Sequence, residues 1–336
     1  MNKADEDRTF QSRVGGLDVI VNSLHAVASA HKMQERSETA RGYLYAVLGA
    51  VCGGSVTVLS KLLLAHNGPV VVTGFPYLIS GLILLLYQPR RRPERASLGY
   101  LIFFGVVGAA VAPLMYVTGL SETTAVNAAL LANGEVLFTV ILAYSVFGER
   151  LSRKQASRGL LIVVGLVIIS TNLDLANVAF FRGLVGNLLV LGATVAWAVE
   201  NNLIAVATKR FNVTLMSKFR NLIGGAVLSA VVLAAGLPYG FTSSEFVLLT
   251  LLALVIAGGT YLFIAATKRL GAIKMLLVWS TSTIFGAFFA LVFLGEQITV
   301  AQTFGGALIL LGVYLVRRGE AAPEALPFVA PAGSQV

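Results

Sequence analysis

The chain has 336 residues, 57% of them hydrophobic and only 12% charged, with a mean hydropathy of +0.82. That is too apolar for a water-soluble domain and marks an integral membrane protein. The net charge of +9 does not point to nucleic acid, because the basic residues fall in short runs between apolar segments, where orientation in a bilayer requires them.

In chain order, residues 1–42 form a polar, mixed-charge tail, expected to be cytoplasmic. It either lies on the membrane surface through Leu17, Ile20, Leu24 and Val27 or is a disordered extension. From Tyr43 onward, segments of about spanning length follow one another at 43–65, 70–87, 98–120, 123–146, 154–172, 183–207, 219–236, 245–267, 272–294 and 299–316. They lack the alternation of barrel strands, so backbone satisfaction in lipid leaves helices. The expected fold is an all-α integral membrane protein with ten transmembrane helices, followed by a cytoplasmic tail at 318–336.

Lysine and arginine set the orientation. Arg90, Arg91, Arg92 and Arg95 follow the second segment, Arg150, Arg153, Lys154 and Arg158 surround the next turn on that side, and Lys209, Arg210, Lys218 and Arg220 are read as the 6–7 connection. Lys268, Arg269, Lys274, Arg317 and Arg318 fall on the same side, which places both termini in the cytoplasm. The single cysteine, Cys52, sits in an apolar segment and can form no internal disulfide.

The chain repeats itself. Gly148, Glu149, Gln155, Gly159, Leu161, Ile162 and Gly165 match Gly295, Glu296, Gln302, Gly306, Leu308, Ile309 and Gly312 at an offset of 147, which extends back to Ala125/Ala272 and Leu130/Leu277. The Gly-Glu turn at 148–149 falls on the cytoplasmic side and its partner at 295–296 on the other. Five spans per copy therefore turn the second copy upside down, an arrangement that places a site near the midplane between two halves.

The Tyr116–Gly165 stretch, with Ala-Ala-Leu-Leu at 128–131 and Gly-Glu-Arg-Leu at 148–151, resembles the EamA repeat of the drug/metabolite transporter superfamily. So do Gly295-Glu296, Gly306–Gly312, Ala196-Trp197-Ala198 and Lys61. The resemblance implies two inverted five-helix EamA-type repeats at 43–172 and 183–317, and a carrier of small organic solutes, many relatives being exporters of amino acids, metabolites or toxic compounds. One departure is that Glu135 is followed by Val136 rather than proline, which puts a proline-dependent kink in question.

Candidate site residues are the polar and aromatic groups at membrane depth. Glu135 is too far from either interface to reach water, and Asn127 at helical spacing is placed on the same face, so both are read as lining the cavity; Glu135 either touches substrate or a coupling proton or makes a structural hydrogen bond or a lysine pair. Trp197, Glu200 and Asn201 form a stripe suited to a ligand with an amine and an apolar body; alternatively Glu200 pairs with Lys209 or Lys218. Lys61 either snorkels or binds an anionic group. Tyr116, Tyr261 and Trp279 complete the set, with the hydroxyl run Ser280–Thr283 beside Trp279. Pro76 and Pro113 are expected to kink their helices, and paired glycines such as Gly53-Gly54 and Gly305-Gly306 to let helices pack closely.

Enzyme chemistry lacks its residues. Asp5, Asp7, Asp18 and Asp174 lie outside the spans, as do His25 and His31, with His66 at an edge; there is no Walker motif and no metal-ligand spacing. No cofactor or catalytic residue is expected. The expectation is a monomeric exporter of amino acids or related metabolites in the cell (inner) membrane, working with or without protons; the alternatives are a multidrug efflux carrier or a lipid-headgroup flippase.

Overall fold

The structure is a computed structural model that describes residues 33–34, 36–87, 98–147, 153–171 and 178–317. Residues 1–32, the C-terminal tail at 318–336, the arginines at 90–95 and the Gly-Glu turn at 148–149 lie outside the described residues, while residues 36–42, expected as tail, are helical and open the first span.

The regular elements described are all helical. They are α1 (Arg36–Leu63), α2 (Pro69–Leu85), α3 (Leu98–Glu122), α4 (Ala125–Leu131), α5 (Gly134–Phe147), α6 (Arg153–Thr171), α7 (Val178–Ala207), α8 (Val213–Ala234), α9 (Ser243–Leu270), α10 (Ala272–Trp279), α11 (Ser282–Phe289) and α12 (Val300–Arg317). Seven helical stretches are long and apolar enough to cross a membrane, and three shorter apolar helices stand beside them, Pro69–Leu85, Ser157–Thr171 and Val300–Leu315. Large apolar side chains such as Val111, Val167, Leu188, Leu233 and Phe288 point outward. In water such a surface would aggregate; in hydrocarbon it is the surface that belongs there. Leu120, Val126, Leu131, Ile162, Ile169 and Leu252 pack inward as the core.

Two helices of equivalent position in the repeat, α6 and α12, cross at van der Waals distance. A Cβ added to Gly165 would lie 2.7 Å from Ile309 Cγ1, and one added to Gly312 would lie 2.7 Å from Ile162 Cγ1. Gly165 and Gly312 occupy matching places in the two copies, as do Ile162 and Ile309. Each copy thus contributes the same glycine to the other's isoleucine, the reciprocal pattern a local two-fold produces.

Three further stretches differ from the sequence expectation. The seventh helix starts at Val213 rather than 219, because the Asn212 side chain caps it by accepting from Thr214 N at 2.8 Å. Lys218 and Arg220 therefore lie inside a helix and are buried, not in a loop. The fourth span breaks at Ala132–Asn133 and the ninth at Ser280–Thr281, each without a proline. Asn133 and Ser280 are again 147 residues apart. At both breaks the backbone tightens, with Glu135 N donating to Ala132 O at 3.1 Å and Thr281 N to Val278 O at 3.0 Å.

Candidate functional site

The broken helices bring their free ends together in the interior. Asn133 Nδ2 donates to Thr283 Oγ1 at 3.2 Å, and the adjoining turn of α5 presents Glu135 to a central cavity of about 150 Å³. Glu135, Asn201, Tyr116, Trp197, Glu200 and Trp279 all line it.

Glu135 is 6% exposed and accepts a hydrogen bond from Asn201 Nδ2. Among the described residues no cation pairs with it. A carboxyl held in an apolar interior by one neutral amide is costly to leave uncompensated, and a proton or a ligand amine would complete it. Tyr116 shares a hydrogen bond with Thr57 at 2.7 Å, and its ring centroid lies 5.5 Å from that of Trp197. Trp279 stands edge-on to Phe263 with centroids 4.9 Å apart. The wall is therefore largely aromatic and aliphatic with a few converging polar groups, the composition of a small-molecule pocket.

Glu200, one turn from Trp197, has a partner that neither reading of the sequence contained. Arg220 Nε donates to Glu200 Oε1 at 2.6 Å and Arg220 Nη2 to Oε2 at 3.0 Å, a two-pronged ion pair. Lys209 is exposed, and Lys218 Nζ sits 5.6 Å over the Phe219 ring. By sequence Arg220 reads as one of the loop charges that orient the chain; the Asn212 cap, which puts Arg220 two turns into α8, is the signal that reveals it.

Local backbone geometry fixes the pair. Phe104–Val111 in α3 is π-helical, and Ala112 N donates to Val107 O. The next carbonyl, Gly108 O, would need the N–H of residue 113, which is Pro113 and has none. Arg220 Nη2 takes that orphaned carbonyl at 2.7 Å and Trp197 Nε1 shares it at 3.3 Å. Gly108 also lacks a side chain where one would have to pass through the Glu200 carboxylate.

The remaining candidates lie elsewhere. Asn127 is absent from the cavity wall: its Oδ1 accepts from Gln302 Nε2 at 2.7 Å at the far end of α4. The break at Ala132–Asn133 interrupts the helical register that had placed it on the face of Glu135. Lys61 is half-buried and donates to Leu120 O at 2.7 Å and Thr123 O at 2.6 Å, which caps the end of α3 instead of lining the cavity or snorkelling. Tyr261 lies off the wall, in the neighbourhood of Tyr45, Tyr87 and Arg269. The hydroxyl run divides: Ser282 and Thr283 reach the cavity, while Ser280 and Thr281 bond back to Leu277 O and Val278 O.

The repeat has a counterpart in known proteins. The chain is 29% identical over 300 residues to a probable amino-acid metabolite efflux pump of Salmonella typhimurium, an alignment covering 82% of this chain and 93% of that protein. It is 28% identical over 302 residues to an uncharacterized transporter of Methanothermobacter thermautotrophicus, covering 82% and 85% respectively. A crystal structure superposes with a TM-score of 0.63 at 17% identity, covering 84% of this chain and 98% of its own, and so shares the fold. The EamA-like transporter family model matches twice, over residues 40–171 and 184–318, and the chain, a multi-pass membrane protein, belongs to that family.

Proposed function

We propose that this protein is a secondary carrier that exports small organic solutes, amino acids or related metabolites with an amine and an apolar body, across the cell (inner) membrane. Ten spans, the seven long helical stretches and the three shorter ones, form two five-helix halves inverted with respect to each other. Both termini face the cytoplasm, the chain acts as a monomer, and the halves rock about the central cavity to expose it to each side in turn. The observation that carries this reading is Glu135, buried, held by Asn201 and without a cation among the described residues, on the wall of an aromatic cavity at the meeting point of two helix breaks. In the carrier cycle the carboxyl receives the solute's ammonium group or a coupling proton, Asn201 orients it, and Trp197, Trp279 and Tyr116 hold the apolar body. The name of the Salmonella typhimurium relative favours amino-acid metabolites over other solutes.

The test is flux in vesicles containing the purified protein, with a panel of labelled amino acids and amines, alongside Glu135→Gln. The expected outcome is uptake of at least one panel member, reduced more than tenfold in the variant. Lipid movement without solute flux would instead establish a flippase, and no movement of either would refute the carrier reading.

A further inference from the structure

Arg220 has five N–H donors, and the structure engages four of them across all three nitrogens. Nε and Nη2 hold Glu200, Nη2 also holds Gly108 O, and Nη1 donates to Asn221 Oδ1 at 3.2 Å. The side chains of Glu200 and Arg220 are 1% and 11% exposed, yet both touch the cavity that Glu135 lines. A guanidinium so occupied has at most one N–H left for a ligand. Stability does not account for the pair either, because apolar replacements of buried ion pairs are commonly neutral or stabilising. What the pair does change is charge. The wall carries two carboxyl groups, and Arg220 cancels one of them.

We propose that Arg220 is a specificity-determining residue: by neutralising Glu200 it leaves Glu135 alone to set the charge the cavity accepts, so that solutes carrying a single positive group are favoured over anionic or doubly cationic ones. This rests on the cavity being the solute site. Removal of either member of the pair unbalances the wall by one charge, in opposite directions. In a water-poor cleft, one uncompensated charge changes the local concentration of a charged solute by about tenfold or more.

Cys52, the chain's single cysteine, lies on the same wall and reports the local potential without any transported solute. The experiment compares the rates at which cationic and anionic methanethiosulfonate reagents of similar size modify Cys52 in the full-length protein in vesicles. The wild type is expected to favour the cation. Arg220→Gln raises the cation-to-anion rate ratio about tenfold, Glu200→Gln lowers it about tenfold, and the double variant returns to within about twofold of the wild type. Arg220→Lys, which keeps the charge, leaves the ratio in place.

Ratios that do not move, or that move in the same direction in both single variants, overturn the proposal. If a single variant fails to fold, Glu135→Gln decides. Loss of the cation preference there is required by a neutral pair, and its persistence contradicts one. A Cys52 that reacts with neither reagent also overturns the proposal, since charged solutes would have no way in. Because the ratio needs no flux, shifted ratios in a protein that transports nothing would refute the carrier reading and leave the pair standing.

Discussion

Asn133 and Thr283, 150 residues apart in sequence, meet at 3.2 Å where the two interrupted helices face each other. Asn133 sits at the break in the first copy of the repeat and Thr283 two residues past the break in the second, so this hydrogen bond ties the two copies together beside the cavity. Both side chains are about 2% exposed, so neither can exchange its partner for water. Thr283→Val leaves the buried Asn133 amide without this acceptor, at an expected cost of about 1 to 3 kcal/mol, whereas after Asn133→Leu the Thr283 hydroxyl keeps its bond to Ser280 O at 2.8 Å and the cost is smaller. The double variant is expected to cost about 1 kcal/mol less than the two singles summed, as read by a double-mutant cycle of reversible unfolding in mixed micelles.

Gly108 supplies a sharper packing test. Its Cα lies against the Glu200 carboxylate, so Gly108→Ala pushes Glu200 off Arg220. Solute flux is expected to fall more than tenfold and thermal stability in detergent to drop by roughly 1 to 3 kcal/mol. Gly258→Ala, in a spanning helix but facing open space, is the control, with no loss of stability and unchanged flux.

Lys61 is a tie between helices. Its ammonium caps the carbonyls of Leu120 and Thr123 at the end of α3. Lys61→Met is expected to destabilise the protein by about 1 to 2 kcal/mol while leaving the KM for solute within about twofold of the wild type. A KM raised tenfold at unchanged stability would return Lys61 to the binding site.

Glu296 closes the same end of the molecule from the second half. Its two oxygens accept from Ala125 N at 2.8 Å and Val126 N at 2.9 Å, a carboxylate placed on the first turn of α4. Glutamine keeps one acceptor and turns a donor toward the other N–H. Glu296→Gln is expected to speed amide exchange at residues 125–126 about fivefold to tenfold, with peptides of α8 unchanged, in hydrogen–deuterium exchange.

Much of the cavity wall was legible in the sequence, for identifiable reasons. Trp197, Glu200 and Asn201 lie within a little over one turn of an unbroken helix, so spacing alone placed them on one face, and Glu135 stood out as a carboxyl at mid-span. Asn127 failed the same argument because two residues, Ala132 and Asn133, leave the helix between it and Glu135 and reset the register. Arg220 was hidden by its type. Arginine near the end of a span reads as an orienting charge, and only the pairing with Glu200 and the Gly108 carbonyl gives it another role. That free carbonyl depends on the coincidence of a π turn with Pro113, a long-range consequence that residue periodicity does not carry.

The central claim is that solute passes through the cavity bounded by Glu135. It is tested most directly by measuring, in one vesicle preparation, the flux of a solute and its ability to shield Cys52 on the cavity wall from a thiol reagent. The expected result is protection with a half-saturating concentration within about threefold of the KM for flux, and loss of both in Glu135→Gln. Saturable flux with Cys52 left fully reactive would place the solute path elsewhere and contradict the account.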